Sequence, residues 1–317
     1  MHFWLMSPRL TSFIAAYLHT MPTRPLSFFA RLGHPVRHAA RLTRRERGLL
    51  AGFAALLLAG LVGPSLSYQA GLVFADARVW HGVPNAMDVV SNLPFAVLGV
   101  WGLWAVWRGP ADVGARSDLG LATLFFIGLL VTALCSSFYH LHPDILRLAG
   151  DRAGMTVAFA GLIGLAVAER ISRRAGPPAA AALLLAGLAG ACLPLLTGNV
   201  LPWALLQFGG MAVVLLLALV APAPGRMVHL RLGWVIAFYA AAKLFELGDA
   251  WVYEASGHVV SGHSLKHVIA ALAGLPVIAA VMALRHNPFV AAVVVAALPT
   301  VPTGQGQRCP MPSECER

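Results

Sequence analysis

The sequence predicts an all-α integral membrane protein, a seven-transmembrane helix bundle preceded by one extra N-terminal span. Three observations lead there. Of the 317 residues, 58% are hydrophobic and only 11% are charged, against about 25% charged in an ordinary soluble domain. Apolar runs of ~20 residues recur, the length that crosses ~30 Å of hydrocarbon at ~1.5 Å per residue. Basic residues gather in alternate loops, the pattern that sets orientation in a bilayer.

Taken in order, the expected spans are 49–68, 88–107, 119–140, 152–170, 178–196, 202–221, 232–250 and 263–284. The loops ERISRRAGP (169–177) and PAPGRMVHLR (222–231) are basic, as is the start of the tail at Arg285 and His286. In loop 108–118, Arg108 and Arg116 are balanced by Asp112 and Asp118. The alternate loops 69–87, 141–151, 197–201 and 251–262 carry little positive charge. With the N-terminal arm inside, eight crossings place every basic loop and the C-terminus inside. The expected organisation is a basic arm (1–47), an extra helix with its connection (48–74), a seven-span domain (75–285) and a tail (286–317). Residues 289–299 are apolar but too short for a simple crossing, and are expected at the interface. The Arg-, Ala- and Leu-rich composition has a bacterial flavour, so the expected location is a bacterial inner membrane with both termini cytoplasmic.

The arm contains RLGHPVRHAARLTRRER, and Glu46 is the only acid in residues 1–47. A disordered cytoplasmic arm is expected; a transit peptide has the same composition, and Met21 offers an alternative start. The net charge of +10 comes from 23 basic residues, of which only Lys243 and Lys266 are lysines. That excess serves topology and anionic lipid head groups, so the bilayer rather than a nucleic acid is the expected partner. The four cysteines (Cys135, Cys192, Cys309 and Cys315) form no zinc or redox motif, and nothing requires a disulfide.

Polar groups inside the apolar segments are costly and therefore candidates for function. The third span ends CSSFYHLHPD, where Ser136 and His140 are four apart and share a helix face. The next begins near GDRAGMTV, with Asp151 at its entry. The last opens with SGHSLKH, where His263 and His267 are again four apart. By the alternation of spans all five fall in one layer, a turn or two below the outer, periplasmic face. Three neutral imidazoles and a water make a tetrahedral zinc site with an open position. Zinc there lowers the pKa of bound water and polarises a carbonyl. Asp151 can accept the water's proton or orient a ligand. Ser136 can donate to a developing oxyanion. The plainer readings are interfacial histidines, a helix start at Asp151 and Arg152, and a Ser136 hydroxyl bonded to its own backbone.

Ser136 with His140, Asp151, and His263 with His267 together resemble the motif set of the alkaline ceramidases. That family belongs to a superfamily of seven-span hydrolases that also includes the adiponectin and progestin receptors. The stretch DVVSNLPFAVLG, from Asp88 to Gly99, resembles the family's first span, which carries a similar Ser-Asn pair. The resemblance covers roughly residues 75–285. It implies zinc on His140, His263 and His267, proton transfer by Asp151 and oxyanion stabilisation by Ser136. The implied reaction is hydrolysis of a lipid amide, a ceramide or another N-acyl lipid, to a sphingoid base or other amine and a fatty acid. Animal members bind calcium on an acidic segment before the first span. The matching FADARVWHGVPNAMD offers Asp76, Asn85 and Asp88 without the clustered acids, which argues against calcium. Lys266 stands where family members often carry an aromatic residue, another departure.

Lys243, Glu246 and Asp249 in the seventh span approach the same layer. Together with Asp76, Asn85 and Asp88, the acids Glu246 and Asp249 form a candidate secondary polar site; Lys243 and Glu246, three apart, are also placed to pair with each other. His142 and His258 fall in outer loops and are expected in water. Three function classes follow: a zinc-dependent lipid amidase, a lipid-binding receptor of the same superfamily with little turnover, and a membrane cytochrome. The last fits least, because histidines at i and i+4 point the same way, whereas axial haem ligands face each other.

Overall fold

The computed structural model describes residues 41–67, 74–108, 116–223 and 228–284. Most of the basic arm, the stretch 289–299 and the tail with Cys309 and Cys315 lie outside the described residues. The chain divides into two compact units, Met1–Thr43 and Arg44–Arg317, and every element below belongs to the second.

That unit is helical, with no strand among the described residues. In chain order the helices are α1 (Arg44–Val62), α2 (Ala86–Val90), α3 (Leu93–Trp107), α4 (Arg116–Leu141), α5 (Ile145–Arg170) and α6 (Gly176–Thr197). They continue with α7 (Leu201–Ala218), α8 (Leu232–Leu247), α9 (Asp249–Ala255), α10 (Gly262–Leu272) and α11 (Gly274–Ala283). Six segments are long and apolar enough to cross a membrane: Ala86–Trp107, Arg116–Leu141, Ile145–Arg170, Arg173–Thr197, Leu201–Ala218 and Gly262–Ala283. The chain is therefore an all-α, multi-pass membrane protein.

The two other expected spans differ from these for local reasons. α1 starts five residues earlier than expected and carries Arg44, Arg45, Glu46 and Arg47 in its first turn. It stops at Val62, because Pro64 has no N–H and disfavours helix at the residue before it. The seventh expected span breaks at Gly248 into α8 and α9. Glycine is the poorest helix former after proline, and Asp249 uses its carboxylate on backbone elsewhere, as described below. The last span also bends, between α10 and α11, where Pro276 removes the N–H that would bond Leu272.

α4 and α5 form the spine. A Cβ on Gly128 would lie 2.3 Å from the backbone nitrogen of Ala158, and one on Gly161 would lie 2.3 Å from that of Phe125. The two backbones thus touch, the small-residue contact that membrane helices use for close approach. The consequence is functional: the C-terminal end of α4, with Ser136 and His140, is held against the N-terminal turns of α5, with Asp151. At the opposite end of the bundle, buried Glu46 accepts from Arg174 and from Ser172, and Arg170 donates to the carbonyls of Val220 and Leu230.

Candidate metal centre and adjoining cavity

The three predicted histidines come together. His140 leaves the last turn of α4, and His263 and His267 lie one turn apart on α10. Their ring centroids form a nearly equilateral triangle with sides of 4.9, 5.0 and 4.9 Å. One ligand nitrogen from each lies within 4.8 Å of the others. His140 Nε2 and His263 Nε2 are 3.3 Å apart. Two nitrogens at ~2.0–2.1 Å from a tetrahedral zinc stand roughly 3.3–3.4 Å apart, so this edge already has the length such an ion needs. His140 is 1% exposed and His267 is 4% exposed. The Phe74 ring packs 4.7 Å from both His140 and His263 and covers one side of the triangle.

The surroundings fix ring orientation. Ser91 Oγ donates to the Asp88 carbonyl at 2.9 Å and stands 2.8 Å from His267 Nδ1. With the single hydroxyl proton committed to the carbonyl, Oγ accepts from Nδ1–H. That tautomer leaves His267 Nε2 with a free lone pair, as a metal ligand requires. The start of α10 is held by two carboxylates. Asp88 accepts from Ser264 Oγ at 2.7 Å, and Asp249 accepts from the His263 backbone N–H at 2.8 Å. Negative groups at a helix N-terminus are favoured by the helix dipole.

Asp151 does not mark a helix start. α5 begins at Ile145, capped by Asp144 accepting from the Arg147 N–H at 2.7 Å. Asp151 therefore lies almost two turns inside α5, buried, in the same cavity wall as Ser136. Its Oδ1 has no partner among the described residues. Ser136, Asp151 and His267 line one cavity of about 130 Å³. The rest of its wall is largely apolar, with Phe125, Leu129, Phe159 and Leu162, and also carries Thr132, Gln207 and Tyr239 and the charged Lys243, Glu246 and Lys266. Lys266 Nζ donates to Glu246 Oε1 at 3.0 Å and stands 3.2 Å from His263 Nε2. Lys243 donates to Glu246 Oε2, the pairing that their spacing suggests.

The secondary polar residues do not converge. Asp76 is engaged by Arg78 through a two-pronged contact at 2.7 and 2.6 Å. Asn85 donates to the His140 carbonyl at 2.9 Å. Asp88 and Asp249 hold α10, and Asp249 also accepts from the Ala75 N–H at 3.0 Å. Glu246 belongs to the cavity. Among the described residues, His140, His263 and His267 are the group whose ligand atoms come close enough to hold an ion. His142 and His258 are exposed.

Sequence reasoning missed three contributors. Ser91 was visible only as half of a Ser-Asn pair, because its partner His267 is 176 residues away. Lys266 was visible only as an oddity beside a ligand. Gln207 enters the cavity wall because residues Leu205–Gly209 form a π-helical turn within α7, a feature frequent at functional sites with no clear sequence signal. The comparisons with known proteins add no assignment: no protein-family model, no curated protein and no solved structure matches the chain.

Proposed function

We propose that the protein is a zinc-dependent intramembrane hydrolase of lipid amide bonds. The observation that carries this reading is the junction of two features: a three-histidine triangle of metal-binding dimensions, and a cavity that is polar beside it and apolar beyond. Such a cavity takes the head of an amphiphile at the polar end and its acyl chain at the other. His140, His263 and His267 are the residues that would hold the ion. Zinc so held supplies a water of near-neutral pKa and polarisation of the carbonyl oxygen.

The chain's own groups do the rest. Asp151 presents an unpartnered carboxylate oxygen in the wall of this cavity, placed to take a proton from water and return it to the leaving nitrogen. Ser136, in the same wall, donates a hydrogen bond from its hydroxyl to the carbonyl oxygen as negative charge develops there. Water oxygen bonds to the carbonyl carbon, the C–N bond breaks, and the nitrogen gains the protons of a free amine. One amide and one water give one fatty acid and one amine, with no oxidant or reductant.

In this reading α8 and α9 together make one span, broken at Gly248, the sixth of the seven in chain order, and α1 precedes the bundle as the extra helix. The basic loops face the cytoplasm and the metal centre lies near the periplasmic face of a bacterial inner membrane. The test begins with the metal content of the detergent-solubilised protein, purified without chelator. The expected result is about one zinc per chain, lost in His267→Ala, with fatty acid released from N-acyl lipids by the wild type. Asp151→Asn should keep its zinc and slow release about 10²-fold or more. Absence of metal in every sample refutes the proposal. Zinc without release from any N-acyl lipid refutes the hydrolase and leaves a lipid-binding receptor.

A further inference from the structure

We propose that Lys243, Glu246 and Lys266 form an anion subsite, and that the preferred substrate is an N-acyl amino acid, a lipid amide whose amine carries a free carboxylate. This rests on the hydrolase reading for the word substrate; the subsite itself does not.

The first argument is choice of residue. The chain has 23 basic side chains, and lysine is used at two positions only, 243 and 266. Both line the cavity beside the histidines. Elsewhere the cation is arginine. Lysine differs as a compact point charge with three freely directed donors, which suits a small anion in a narrow space. The two lysines come from different helices, α8 and α10, and meet on opposite oxygens of Glu246. That carboxylate fixes both ammonium groups while cancelling the charge of only one.

The second argument is charge. With Asp151 ionised, the two lysines and two acids of the cavity sum to zero. A divalent ion on three neutral imidazoles then raises the sum to +2, facing an apolar wall. Uncompensated charge in such surroundings is costly. An anionic ligand lowers the sum; an uncharged ceramide does not. An ion there would also occupy the lone pair of His263 Nε2, which lies 3.2 Å from Lys266 Nζ. Lys266 then needs another acceptor, and a ligand carboxylate supplies it.

The third argument is reach. Lys266 Nζ lies beside a metal-facing nitrogen, so the anion it meets lies close to the scissile carbonyl. In an N-acyl amino acid the carboxylate carbon is three bonds from the carbonyl carbon. In an amide with an ethanolamine-phosphate head, the phosphorus is five bonds away and projects past the cluster. The short spacing favours the α-carboxylate.

The experiment uses the zinc-loaded, full-length protein in detergent and three probes of one chain length: an N-acyl glycine, its methyl ester and an N-acyl sphingosine. Turnover is measured beside binding, the latter by displacement of a fluorescent fatty acid. The acyl glycine should exceed the methyl ester by roughly tenfold or more in both binding and kcat/KM, the scale of a lost charged hydrogen bond. In Lys243→Met this ratio should fall toward one, and Lys243→Arg should recover part of it. Zinc content reports whether either variant has lost the site. Equal use of acid and ester by the wild type overturns the proposal and leaves the hydrolase standing. Selective binding without turnover of any probe supports the subsite and removes the hydrolase. The product fatty acid carries the same carboxylate chemistry, so it is run alone as a competitor. If only the fatty acid binds in a Lys243-dependent way, the cluster holds product and the substrate proposal fails.

Discussion

Removing the Ser91 hydroxyl should weaken metal binding without much weakening the metal-free fold. Ser91 is 9% exposed and His267 is 4% exposed, so solvent does not readily replace a lost partner. In Ser91→Ala the His267 Nδ1–H loses its 2.8 Å acceptor. An unsatisfied buried polar group costs about 1–3 kcal/mol. The cost falls unevenly between states. Without metal, the neutral ring can carry its proton on Nε2 instead and avoid it. With metal on Nε2, the proton is confined to Nδ1 and the penalty is unavoidable. The deficit therefore appears in affinity, where loss of a group orienting a metal-bound histidine typically costs 10–100-fold. The Asp88 carbonyl, which loses the Ser91 proton in the same variant and stands on the other side of the deleted hydroxyl, offers a partial substitute, which sets the expectation near tenfold, about 1.4 kcal/mol. The assay is zinc competition against a chelator of known affinity, beside thermal unfolding of the metal-free protein. Ser91→Thr keeps the hydroxyl and should bind zinc within a few-fold of the wild type. The reasoning is refuted if Ser91→Ala binds zinc as tightly as the wild type, or if its metal-free form loses more stability than its metal affinity.

Two further outcomes are expected. A Cβ at Gly262 would lie 2.2 Å from the Phe245 carbonyl oxygen and 2.8 Å from the Asp249 Cα. Gly262→Ala must shift backbone that carries His263, so zinc occupancy should fall and stability drop by about 1–3 kcal/mol. Gly120→Ala, inside α4 with nothing within 4 Å of the added carbon, is the control: it should leave zinc occupancy unchanged and raise stability by about 0.5–1 kcal/mol. At the loop before α2, burial alone would raise the Asp76 carboxyl, but the bonds from Arg78 outweigh it and hold Asp76 below its ordinary 3.8. A depressed folded value means the stabilisation is complete above that ordinary value and is lost as pH falls through the lower folded one. Asp76→Asn should therefore lower the melting temperature at pH 7, and the gap to wild type should close below about pH 4. With Arg78 46% exposed, the whole effect is about 1 kcal/mol or less; a gap that persists in acid would refute it.

The histidines, Ser136 and Asp151 were legible because a polar group stands out in an apolar run and helical spacing assigns it a face. The six membrane-length helices were legible from hydrophobic length. Helix ends were harder. ILRLAG before Asp151 reads as a loop when hydropathy is averaged over a span, although Pro143 and Asp144 form a helix-start signal just ahead of it. The break at Gly248 is hidden because apolar residues continue on both sides. Asp76, Asp88 and Asp249 were legible as acids near one layer, but not as fasteners. Asp76 pairs with its near neighbour Arg78, but the other two bond partners chosen by the tertiary fold: Asp249 reaches back 174 residues to Ala75, and Asp88 reaches forward 176 to Ser264. Local spacing carries no information about such pairs.

The irregular backbone and the candidate metal centre explain one another. A continuous helix satisfies its own backbone and leaves no backbone groups to orient side chains. Around the histidines the helices are interrupted instead. The α2–α3 junction at Ser91 and Asn92 supplies the His267 partner, and the Asp88 carbonyl there accepts from Ser91 at 2.9 Å and from Asn92 at 2.8 Å. The α8–α9 junction places Asp249 where one carboxylate joins the Ala75 and His263 backbones. These fasteners cost helix continuity at two points in return for a fixed start to α10, the element that carries two of the three clustered histidines. The same rigidity argues against the cytochrome reading. Three rings with centroids about 5 Å apart leave no room for a macrocycle between them, but one ligand nitrogen from each lies within 4.8 Å of the others, close enough for a single ion.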